Sequence, residues 1–148
     1  MIVRTTSQLV WDGAMLGVWA YSLWRGGRPE RVISTSMVLG SVATAVVENR
    51  QDWVDPQLGI MAVDLAFLLI AGWYAFRSDR HWPMWAAAFQ LIAIVTHLAM
   101  GVDHKVSAWA YLTAGVIWSY LILAAMAVGT WAYSRRIRTF RSAKATVR

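Results

Sequence analysis

Charge is almost absent from five long stretches of this chain, and few water-soluble folds tolerate that. The stretches run over residues 8–24, 32–47, 58–76, 82–101 and 106–133, with short charged segments between them. A helix needs about 20 apolar residues to cross a hydrocarbon core. Within lipid every backbone amide must find its partner inside its own segment, so helix is the expected form. The prediction is an all-α integral membrane protein, a bundle of five transmembrane helices over residues 1–134 with a basic tail over 135–148. Composition agrees. The chain is 58% hydrophobic and 15% charged, whereas soluble domains carry about a quarter charged residues.

The segments between the stretches alternate in sign. Residues 25–31 hold Arg25, Arg28 and Arg31 against Glu30. Residues 48–57 hold Arg50 against Glu48, Asp52 and Asp55. Arg77 and Arg80 outweigh Asp79, Asp103 balances Lys105, and the tail is strongly basic. Positive loops stay in the cytoplasm. The expected topology therefore has the N-terminus outside and the C-terminus in the cytoplasm, in the inner (plasma) membrane. An alternative has four spans, with residues 8–24 lying as an interfacial helix and the N-terminus inside. Arg4 on the outer side speaks mildly for it. Asp12 interrupts the first apolar run, so a cleaved signal peptide is not expected.

Aromatic residues fall near the predicted span ends, among them Trp24, Trp53, Trp73, Trp82, Trp85, Trp109 and Trp131. That is the pattern of an interfacial belt, where amphipathic rings sit among headgroups. Trp118 and Tyr120 lie mid-span and read as packing residues. Arg25, Arg28, Arg31, Arg135, Arg136, Arg138 and Arg141 are expected to meet lipid headgroups. A basic tail beside a span argues for membrane lipid, not nucleic acid, as the partner.

The chain has no cysteine, which excludes disulfides, thiol nucleophiles and cysteine-ligated metal. No G-x-S-x-G, phosphate-binding loop or HExxH pattern occurs. His97 is the one histidine inside a predicted span, so a haem held by two histidines of this chain is not expected.

What remains is a set of polar residues in the spans: Asp12, Glu48, Asp64, Gln90 and His97. An ionisable group in a span costs roughly 2.5–3.5 kcal/mol and usually faces protein or water. On the expected topology Asp12, Glu48, Asp64 and His97 belong to the outer half. Asp64 lies about 9 Å below Leu58 at 1.5 Å per residue. Gln90 and His97, seven residues apart, share one helical face. Two readings stay open. The cluster is an outward-facing pocket for a metal or a proton relay, or it is hydrogen-bonded glue between helices. Metal and cofactor are not specified by the sequence.

Gly13 and Gly17 form a GxxxG pair that permits close helix approach, within the bundle or to another subunit. Ala124, Ala125 and Gly129 offer the same in the last span. The small size and missing catalytic signature make a non-catalytic accessory or scaffold subunit of a larger bacterial membrane complex the leading expectation. Other membrane subunits or self-association then supply the partners. The alternatives are a small transporter or proton or ion pathway through Asp64 and His97, and a membrane metal protein or enzyme with an outward-facing site. No internal repeat supports an ordinary secondary transporter.

Overall fold

The structure, a computed structural model, describes residues 6–47, 58–102 and 108–146. It contains five helices: α1 (Thr6–Arg25), α2 (Arg28–Val47), α3 (Leu58–Arg77), α4 (Trp82–Val102) and α5 (Ala108–Thr146). No strand occurs among the described residues.

Among the described residues, three segments are long and apolar enough to cross a membrane: Gly59–Arg77, Trp82–Ala99 and Thr113–Thr139. In the first, only 11% of the apolar window is buried by the rest of the chain. Its large side chains, such as Leu65, Leu69 and Phe76, therefore face outward, as expected where lipid replaces water. Helices α1 and α2 match α3 in length, at 20 residues each, but carry more polar residues. Several of their hydroxyls turn inward or bond their own backbone: Ser22 and Ser34 are buried, and Ser36 Oγ donates to the Ile33 carbonyl at 2.8 Å. Such local bonds satisfy a hydroxyl that lipid cannot.

The helices pack in chain order, and α5 returns against α1 to close a ring. Helix α2 also touches α5 across the interior. Helices α1 and α2 join through Gly26 and Gly27 alone, and α3 and α4 through residues 78–81. Links this short make antiparallel neighbours. One end of the bundle accordingly gathers the α1–α2 and α3–α4 connections and the basic part of α5. We call it the basic end, and the opposite one the far end.

Two expected boundaries differ. The charged segment 25–31 is not a loop, because Arg28 through Arg31 form the first turn of α2. Pro29 suits that turn, where its missing N–H costs nothing, and the Glu30 carboxylate accepts the Gly27 N–H at 2.9 Å. This is the reach-back half of a capping box. The second difference is α5, a single helix of 39 residues. At 1.5 Å per residue it is about 58 Å long. It runs without a break from the apolar stretch into the basic tail, since nothing between Tyr133 and Thr146 is Gly or Pro.

An apolar core fills the middle of the ring, built from Met15, Ile33, Phe67, Ala71, Ala86, Ile122, Leu123 and Met126. Polar layers lie above and below it.

Candidate functional site

At the basic end the polar layer centres on Glu30, which is only 1% exposed. Its carboxylate accepts from the Arg80 guanidinium, from Trp82 Nε1 at 3.0 Å and from the Gly27 amide. Arg80 also lies over the Tyr133 ring, 3.9 Å from its centroid. Three helices and a connection meet here: Glu30 from the start of α2, Arg80 from the α3–α4 connection, Trp82 from α4 and Tyr133 from α5. Hydroxyl pairs extend the layer, with Ser22 and Thr130 at 3.0 Å and Tyr21 and Ser134 at 3.4 Å. Close approach here requires glycine. A Cβ on Gly26 would overlap the Ser22 carbonyl and Glu30, and one on Gly129 would overlap the Trp82 ring.

This layer revises one expectation. Trp82 was assigned to the interfacial belt, but it is 8% exposed and belongs to the interior. The buried acceptor on α2 draws its N–H inward. Other residues expected in that belt do lie on the surface. Trp24, Trp73 and Trp131 are exposed, and each stacks under a guanidinium, of Arg25, Arg77 and Arg135 in turn.

At the far end the second polar layer centres on Asp64. His97 Nε2 lies 3.0 Å from its carboxylate. Gln90 Nε2 donates to the Asp64 backbone carbonyl at 3.3 Å. The shared face of Gln90 and His97 on α4 thus meets a single residue of α3. Trp19 on α1 bonds the Thr35 hydroxyl of α2 at 3.1 Å nearer the middle. Beside Asp64 lies a half-open cavity of about 310 Å³. Every helix contributes to its wall: Trp11 from α1, Ser41 and Thr44 from α2, Asp64 and Phe67 from α3, Gln90 from α4 and Ser119 from α5. Asp12 is half-buried on α1 and is not among the residues of that wall. Glu48 lies outside the described residues, as do Asp103 and His104. The indole nitrogens of Trp11 and Trp118 are buried without a hydrogen-bond partner.

Among the described residues no three His, Asp or Glu side chains come together as a metal-holding group. The arrangement brings Asp64, Gln90 and His97 into one constellation and leaves Asp12 beside it. It also holds a second constellation, around Glu30, that was not expected. A signal for it exists. Glu30 is the lone acid among three arginines, placed three residues after Gly27 at the start of a helix.

The fold and the two layers define a helical bundle with three helices able to cross a membrane. Comparison with protein-family models, with curated proteins and with solved structures finds no match to this chain.

Proposed function

We propose that this chain is a multi-pass inner-membrane protein of five spans that serves as a non-catalytic scaffold or accessory subunit of a larger membrane complex. The observation that carries the reading is the outer face of α1. Gly13 and Gly17 are exposed, and a Cβ added to either meets no atom within 4 Å. Leu9, Leu16 and Ala20 beside them are exposed too. The GxxxG pair is therefore not spent on packing within the chain. In lipid, where apolar surface alone drives no association, such a pair lets a neighbouring helix approach closely.

The interior polar residues support the same reading. Glu30 binds Arg80 and Trp82, Asp64 binds His97, and Ser22 binds Thr130. These bonds join different helices, and that is structural work. The apolar core between the layers weighs against a proton or ion path, because Phe67, Ala71, Ile122 and Met126 interrupt a polar route from Asp64 to Glu30.

Five spans and the orientation rest on two supports. Helix α1 packs along both α2 and α5, which favours a span over an interfacial helix. The arginines of the α1–α2 and α3–α4 connections and of α5 share one end, and that end is cytoplasmic by the positive-inside rule. There Arg25, Arg28, Arg31, Arg135, Arg136 and Arg138 stand at the level of anionic headgroups, each such contact being worth about 1 kcal/mol.

The test is purification of the tagged chain from its own host in mild detergent, with mass spectrometry of the intact particle. Defined partner subunits are expected, and their loss in a Gly13→Ile, Gly17→Ile variant that still melts cooperatively. A particle containing this chain alone overturns the scaffold reading.

A further inference from the structure

The scaffold reading makes no use of the far-end cavity. Its wall is mostly apolar, with Met37, Ile60, Val63 and the aromatic rings of Trp11 and Phe67. Among the described residues its wall carries one formal charge, the carboxylate of Asp64, and no lysine or arginine. Ser41, Thr44, Ser119 and Gln90 add oxygen acceptors. The Asp64 side chain keeps 25% of its surface accessible, so it is not sealed behind its partner. That partner is a histidine, which is charged only when protonated. The contrast with Glu30 is chemical. Glu30 is closed off and held by an arginine that keeps its charge, whereas Asp64 faces a space.

A carboxylate at the edge of an apolar cavity selects a ligand by charge. Attraction between opposite charges grows as water is excluded, from about 1 kcal/mol at 4 Å in bulk water to several-fold more near a protein interior. Aromatic rings add a preference for cations over their faces. An anion would meet Asp64 with no compensating lysine or arginine among the described residues of the wall. A small, strongly hydrated metal ion would find one carboxylate, and among the described residues no three-ligand group. A volume near 310 Å³ lies at the small end of the range for organic ligands.

We propose that the far-end cavity is a binding site for a hydrophobic organic cation, an amine or quaternary ammonium or phosphonium compound, with Asp64 as its counter-ion. Asp64 accepts the charge, Trp11 and Phe67 flank the apolar body, and the hydroxyls of Ser41 and Thr44 tolerate a polar substituent. The site is independent of the Gly13–Gly17 face, so it stands or falls separately from the scaffold reading.

The experiment is a fluorescence-anisotropy titration of ethidium into the purified full-length protein in dodecyl maltoside, with empty micelles as background. Saturable binding at one site per chain is expected, displaced by tetraphenylphosphonium and not by dodecanoate. Asp64→Asn keeps the side-chain volume and a hydrogen bond to His97, and it is expected to weaken binding at least ten-fold, or ~1.4 kcal/mol. Ser41→Leu fills the cavity without touching the charge and is expected to abolish binding. Thermal melting of both variants confirms that they fold. The proposal is overturned by binding no greater than to empty micelles, by an Asp64→Asn affinity within two-fold of the parent, or by equal displacement with dodecanoate.

Discussion

Glu30 holds three hydrogen bonds while almost wholly withdrawn from solvent, so its stability contribution depends on every partner staying in place. Removing the cation of such a pair leaves a buried charge uncompensated, which typically costs 3–5 kcal/mol. Arg80 keeps 24% of its side-chain surface, which argues for the lower end. Arg80→Met is therefore expected to lower unfolding free energy by about 3 kcal/mol in a mixed-micelle denaturation series. Adding Glu30→Gln to that variant restores part of the loss, because the stranded charge is gone. Strictly additive effects in this cycle would show that the two residues do not interact. At this scale the sequence was partly legible. Asp64, Gln90 and His97 stand out because ionisable and amide groups are rare in apolar stretches. Glu30 hides among arginines, where a solvated loop explains it just as well, and only the packing of α4 and α5 over the α2 start takes it out of water.

Helices α1 and α5 show how differently one residue type is used. On α5, Gly129 is buried and its Cα hydrogen faces the Trp82 ring. Gly129→Ala forces the indole to move and loosens its bond to Glu30, at an expected cost of 1–3 kcal/mol for overpacking. Gly17→Ala meets no atom, and alanine is the better helix former, so the isolated chain is expected to gain about 0.5–1 kcal/mol. Thermal melts of the two single variants, run side by side, check both signs. A destabilised Gly17→Ala in the isolated chain would mean that α1 packs by that face after all. Spacing alone could not separate the two glycines, because both occur among small residues in apolar helices. Helix existence, in contrast, was legible from the apolar runs. The α2 start was missed because its charges resemble a loop, although Pro29 and Glu30 are sound first-turn residues. The α5 end was missed because a basic, non-apolar segment continues a helix as readily as it ends one.

For the molecule as a whole, the apolar runs made a helical bundle with helices able to cross a membrane legible, while ring closure was not, since no local pattern says that α5 returns to α1. That closure matters for topology. If α1 lies parallel to α5 as a full member of the ring, Thr6 and Asp79 stand at opposite ends of the bundle, both exposed. The chain contains no cysteine, so each position can be read singly in an otherwise unreactive background. In intact spheroplasts a membrane-impermeant maleimide is expected to label Thr6→Cys and to leave Asp79→Cys untouched until the membrane is permeabilised. A fluorescent reporter fused after Arg148 is expected to share the Asp79 side. Five spans require this odd relation between the two ends of the chain. Thr6→Cys protected together with Asp79→Cys would instead put the N-terminus in the cytoplasm, reduce the spans to four, and make α1 an interfacial helix that reaches α5 only at the basic end. The Ser22–Thr130 and Tyr21–Ser134 pairs would survive such a tilt, being near that end. The place of Trp11 in the far-end cavity wall would not, so the same labelling experiment also asks whether α1 helps to enclose the cavity.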